Sequence, residues 1–317
     1  MRVPTRLFLA IALTGLLPAA EAAATGHRLL IQGRGQLAIV DGDGQIEWQM
    51  PWGGIHDVHV LEDGHILVQQ GAAKVAEIDP KTKAVVWSYD SAVQNGNKDR
   101  PVEVHAFQPL GDGRLMIAES GIARIIEVDR QGMLLKQIKL KVDHPHPHTD
   151  TRLVRKLANG NYLVCHEGDG TVREYDGESG DVAWEYEVPL FGRRPAGGHG
   201  PEAFGNKCFA AVRLTNGNTL IATGNGHGVL EVTPEKKIVW QIAQRDLPGI
   251  TLAWVTTLEV LANGHYMIGN CHAGAENPQL IELDPQTKKV VWSFQEFATF
   301  GNDVSNTQIL DAADTIR

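Results

Sequence analysis

The sequence predicts an all-β propeller of six four-stranded blades, and three observations carry that expectation. First, one motif returns six times, as AIVDGDGQIEWQM, EIDPKTKAVVWSY, EVDRQGMLLKQIKL, EYDGESGDVAWEY, EVTPEKKIVWQI and IELDPQTKKVVWSF. Second, five of these copies follow a matching hairpin: LEDGHILVQ, LGDGRLMIA, LANGNYLVC, LTNGNTLIA or LANGHYMIG. A period of roughly 50 residues, built from short strands and Asp-Gly or Asn-Gly turns, is the mark of one four-stranded sheet per repeat. Third, the two ends are complementary. The first copy lacks an innermost strand, and the C-terminal segment NDVSNTQIL supplies one strand with no blade after it. If the last strand completes the first blade, the ring closes without a free edge.

Residues 1–24 read as a secretory signal peptide. Arg2 and Arg6 precede an apolar run from Leu7 to Leu17, followed by small residues with Ala-x-Ala spacing. That run falls short of the roughly 20 residues a membrane-spanning helix needs, so no span is expected after cleavage. Residues 25–317 then form a single propeller domain, periplasmic or secreted. Cleavage removes two arginines and one glutamate, taking the formal charge from −9 to −10. An acidic exported chain is a poor match for nucleic acid. Cys165, Cys208 and Cys271 are too few for a disulfide scaffold and have no metal-type spacing, so they read as small buried residues, with one disulfide plus a spare thiol left open.

Within each blade the second strand is apolar, as a sheet covered on both faces requires. The fourth strand carries Trp48, Trp87, Trp184, Trp240 or Trp292 at a fixed position, which suits packing of blade on blade. The third blade has Lys136 and Gln137 there instead.

The segments DPKTKAVVWSY, DGESGDVAWEY and DPQTKKVVWSF resemble the docking motif of the quinoprotein (PQQ-type) propeller repeats over nearly the whole mature chain. NGNTLIATGNGHGVLEVTPEKKIVWQI is similar to repeats of bacterial arylsulfotransferase propellers. The first resemblance implies the propeller fold. Bound PQQ is not expected, because quinoprotein dehydrogenases of that type carry two adjacent cysteines and this chain has none. The second would imply a transferase using a histidine, here His227, although Gly226-His227-Gly228 lacks the Arg of that family's usual motif.

Propeller geometry places the connections between blades on one face and the Asp-Gly or Asn-Gly hairpins on the other. Nine of the thirteen histidines then fall on the first, or top, face. Aligning the innermost strands on the Leu before each hairpin brings into register Gly54 and His56, Glu103 and His105, Asp150 and Arg152, Lys207 and Phe209, Trp254 and Thr256, and Asp303 and Ser305. Six different pairs at equivalent positions are what an asymmetric ligand needs, since a repeated pair would be symmetric. His56 or His105 is the candidate general base, with Arg152 and Lys207 stabilising negative charge. Glu103, Asp150, His166, His227, Trp254, His272 and Asp303 are candidate ligand contacts. In DHPHPHTD, His144, His146 and His148 alternate along an extended chain, a candidate set for a divalent metal. The Gly-rich loop Phe191 to Lys207 reads as a lid bringing Arg193, Arg194 and His199 over the mouth. Two readings of function remain: a small anionic or sugar-like ligand bound, and either simply held or transformed, at this mouth, or a protein partner docked across the same face.

Overall fold

A computed structural model describes residues 26–317; the signal-peptide reading of residues 1–24 lies outside the described residues. Twenty-four strands form six four-stranded sheets in a ring, with one short helix at Phe297–Phe300. The innermost strands are Thr307–Ile309, Val58–Val60, Glu103–Pro109, Val154–Lys156, Ala210–Arg213 and Val255–Val260. Every strand pairing within the blades is antiparallel, and the C-terminal strand does close the ring: Leu29, Leu30 and Ile31 pair with Ile309, Gln308 and Thr307.

The hairpins form because their acidic or amide residue caps the turn. Asp63, Asn159, Asn216 and Asn263 each accept the backbone N–H two residues on. The following glycine takes the left-handed φ that such a turn demands, +90° at Gly160 for instance. Third strands bulge where they meet the fourth, directly after Glu77, Glu127, Glu174, Glu231 and Glu282 in five blades. Opposite these glutamates stand Trp87, Lys136, Trp184, Trp240 and Trp292.

The tryptophans join blades by hydrogen bonds as well as by packing. The indole N–H of Trp48 donates to the Pro80 carbonyl at 2.7 Å, Trp87 to Arg130, Trp184 to Pro234 and Trp240 to Pro285. Each acceptor lies in the turn after the third strand of the next blade. Where Trp is missing, Lys136 reaches the equivalent turn and meets Glu178 at 2.9 Å.

Down the ring axis the innermost strands carry charge rather than apolar groups. Asp57, fully buried, takes a bidentate contact from Arg155 at 2.8 and 2.9 Å and a third from Asn306. The Arg155 guanidinium and its companions hold the Asp57 carboxyl far below the ordinary carboxylate range. Glu259 faces Arg317 at 3.6 Å lower down. All three cysteines are buried and free, so the disulfide alternative is not realised.

Candidate functional site

The top face holds a cavity of about 480 Å³ over the ring axis. Of the six pairs aligned from the sequence, Gly54, His56, Glu103, Arg152, Lys207, Phe209, Trp254, Thr256, Asp303 and Ser305 line it. His105 and Asp150 are the two that do not.

The second strand of the second blade fixes His56. Gln69 donates its amide N–H to the Gly71 carbonyl, so its oxygen is free to accept. That oxygen accepts the His56 backbone N–H at 2.7 Å and lies 3.2 Å from Nδ1. The proton therefore sits on Nδ1, and Nε2 keeps its lone pair. Burial, helped by His105 and Arg152 nearby, holds His56 well below the ordinary imidazole value, so the ring stays neutral.

Arg152 is 4 % exposed and has its Nε on Glu167. Glu167 also faces the Lys207 ammonium at 3.6 Å. Arg152 Nη1 is buried with no partner among the described residues, and so is the hydroxyl of Thr256. Both residues line the cavity. Trp254 forms wall rather than open platform: it is 8 % exposed, packs against His199 at 5.1 Å and has the Lys207 ammonium 5.9 Å from its ring. His272 lines the same side and meets Asp303 at 3.0 Å.

Opposite them, Glu103 gathers two histidines. Its Oε2 lies 2.9 Å from His105 Nε2 and 2.8 Å from His148 Nδ1. With a proton shared across each of these contacts, the Glu103 carboxyl is pulled down to about 2 and is ionised. His105 itself is fully buried, and burial lowers its pKa.

Several sequence candidates lie elsewhere. Asp150 is a structural cap, accepting the backbone N–H of Gly121 and of His146. His166 is fully buried, with Nδ1 on the Asp150 carbonyl and Nε2 on the Tyr175 hydroxyl. His227 is fully buried too: one ring nitrogen faces the Ala203 carbonyl and the other accepts the Trp254 backbone N–H. With both nitrogens taken by backbone, His227 positions Trp254 and has none left for transferase chemistry. His144, His146 and His148 are not gathered around one point. His144 turns to Asp169 and His148 to Glu103, while His146 accepts the His148 backbone N–H. The extended run ends where Thr149 and Asp150 fold back onto the His146 carbonyl, so the alternation breaks before His148. In the loop Phe191 to Lys207, His199 does reach the cavity, but Arg193 stacks on Phe204 away from it. Sequence reasoning passed over Gln69 and left Glu167 unassigned. Gln69 carried no signal, since its position in a second strand reads as core; Glu167, beside His166 in a top loop, did.

Comparison with known proteins settles the family. The family model described as outer membrane protein assembly factor BamB matches residues 33–294. The chain belongs to this family of PQQ-type repeat propellers. No curated protein sequence matches it. Among solved structures it is similar to a protein of unknown function from Bacteroides caccae, at 24 % identity and a TM-score of 0.72, over 89 % of this chain and 98 % of that one. It is also similar to virginiamycin B lyase from Staphylococcus aureus, at 13 % identity and a TM-score of 0.53, over 86 % and 85 % of the two chains. At these identities the two structures show a shared fold. Despite the family's repeat name, PQQ does not suit the cavity. The cofactor carries three carboxylates, and the wall already bears Glu103, Glu167 and Asp303 against the cations Arg152 and Lys207. No helix among the described residues is long and apolar enough to cross a membrane.

Proposed function

We propose that this propeller, exported to the periplasm, binds a small, singly negative, hydroxyl-bearing ligand in the top-face cavity, where His56 can take a proton from it. The observation that carries this reading is Arg152, which lines the cavity and whose buried Nη1 has no partner among the described residues. Leaving a buried donor unpaired costs about 1–3 kcal/mol, more when it is charged, and a bound anion removes that cost. The Thr256 hydroxyl is a second unpaired group, on a residue that also lines the cavity. His56 Nε2 is a neutral base in a partly dry site, and Arg152 with Lys207 would stabilise the charge left by proton removal. The signal-peptide pattern of residues 1–24 and the family's description as an outer membrane assembly factor both favour export.

Calorimetric titration of uronates and aldonates, each singly charged at pH 7, into the mature protein tests this. At least one should bind, and Arg152→Gln should weaken it about tenfold or more, the worth of one charge-assisted hydrogen bond. A panel with no binder, or a binder indifferent to Arg152→Gln, would sink the proposal. That same family description also favours a second reading, a protein partner docked across the top face. Its mark would be capture of unfolded outer-membrane protein by both wild type and Arg152→Gln.

A further inference from the structure

The contact between His105 and Glu103 contains a conflict of lone pairs. His105 Nδ1 lies 2.9 Å from the Thr151 carbonyl, which can only accept, so the ring proton belongs on Nδ1. Nε2 then presents a lone pair to Glu103 Oε2 at 2.9 Å, an oxygen that also only accepts. His105 is fully buried, so bulk water does not reach that nitrogen. Two acceptors held this close, one of them a buried ring nitrogen, need a cation between them, either a second proton or a metal ion. His148 brings a third potential ligand atom, Nδ1, to within 2.8 Å of the same oxygen. All three ligand atoms lie within 4.8 Å of one another.

We propose that Glu103, His105 and His148 form a divalent transition-metal site at the edge of the cavity. Two ligand atoms each ~2.1 Å from one metal, and at right angles to each other, stand ~3 Å apart, which matches the spacings on Glu103. Two imidazoles and one carboxylate on one side of an ion leave its other positions open, here towards the cavity, and suit zinc, manganese, cobalt or iron better than magnesium or calcium. The hydrogen bond from His105 Nδ1 to Thr151 is the outer contact that fixes the ring for coordination. Charge points the same way. Two cations face three carboxylates in the cavity wall, and a divalent ion turns that balance from −1 to +1. In this respect the site rests on the anionic-ligand reading and deepens it, since an anion bound by Arg152 could also reach the metal. A second cluster, Asp63, His65 and Glu77 on the hairpin face, is weaker because Arg130 already neutralises Glu77.

The test uses mature protein without a histidine tag, stripped with chelator and titrated with Co²⁺ and Zn²⁺. Wild type should take up one equivalent and show a Co²⁺ visible spectrum from nitrogen and oxygen ligands. Glu103→Gln and His148→Ala should weaken binding tenfold or more, while His144→Ala leaves it unchanged. His148 is half exposed, so His148→Ala should fold, and a circular-dichroism melt of each metal-free variant checks this. Absence of binding would assign the bridging cation as a proton and overturn the proposal. Binding unaffected by both Glu103→Gln and His148→Ala would place the metal elsewhere and overturn it equally. Anion binding that persists in metal-free protein would leave the Arg152 reading standing on its own, so the two can fail separately.

Discussion

His56, before an innermost strand, and His166, at the end of a second strand, both read as top-face residues, yet their hydrogen bonds give them opposite uses. His56 spends one nitrogen on Gln69 and keeps the other for the cavity. His166 is fully buried and spends both, on Asp150 and Tyr175, so its value is structural. Burial, with the Arg173 charge adding to it, lowers the His166 pKa to about 4 from 6.5. Below pH 6.5 the unfolded chain therefore takes up a proton that the native ring refuses. Stability from this residue is complete above pH 6.5 and is lost as pH falls towards 4, to a total of about 3 kcal/mol. Urea unfolding of wild type and His166→Asn at pH 7 and pH 4 reads this directly. The variant should be the less stable at pH 7, and the gap should narrow by about that amount at pH 4; a gap independent of pH would refute the assignment. Backbone strain marks the functional side of the same contrast. Trp254, His227 and His272 all adopt left-handed φ, at +42°, +58° and +61°, and all three are at or just behind the cavity wall.

The fourth strand of each blade does the joining, through one residue opposite the third-strand bulge. Trp87 contributes both packed area, under the Arg130 guanidinium at 4.3 Å, and a 2.7 Å hydrogen bond to the Arg130 carbonyl. Lys136 holds the same post with an ion pair to Glu178, whose side chain is 94 % exposed. An exposed pair of that kind is worth well under 1 kcal/mol. Trp87→Phe keeps most of the packing and loses the hydrogen bond, so a cost of about 1 kcal/mol is expected, and Trp87→Ala about 3–5 kcal/mol. Lys136→Ala should fall within about 0.5 kcal/mol of wild type. Chemical denaturation of the three variants ranks them, and a Lys136→Ala cost rivalling Trp87→Ala would mean the third blade docks by other contacts. These posts were legible in the sequence because they repeat, and the alignment of the copies is its own control. The histidines were less legible for the same reason: none repeats, and whether a ring faces the cavity depends on partners far along the chain. Asp150 and Arg152 are two residues apart, yet the backbone turn at His146 takes Asp150 as its cap and leaves Arg152 at the wall.

At the scale of the whole ring, everything at the top face depends on closure, because Ser305 and Asp303 enter the cavity on the segment that leads into the final strand. Ser305 donates to the Ile55 carbonyl and Asn306 to the His56 carbonyl, so closure also anchors the strand that presents His56. Without residues 307–317, Leu29, Leu30 and Ile31, all fully buried, would become an exposed apolar edge with unpaired backbone groups. A chain ending at Asn306 is therefore expected to aggregate or to be recovered unfolded. A chain ending at Ala313 keeps the closing strand and loses the Ile316 pairing with Val260 and packing on the core, the Thr315 contact with Ala312, and the Arg317 contacts with Thr307 and Glu259. It should stay folded and elute as the full chain does, with a melting temperature lower by several degrees, since each 1 kcal/mol shifts a domain of this size by a few degrees at most. Size-exclusion chromatography and thermal melts separate the two. If the chain ending at Asn306 eluted likewise, with the melting temperature of the longer one, the ring would not depend on its last strand. The cavity would then be held by the other five blades alone.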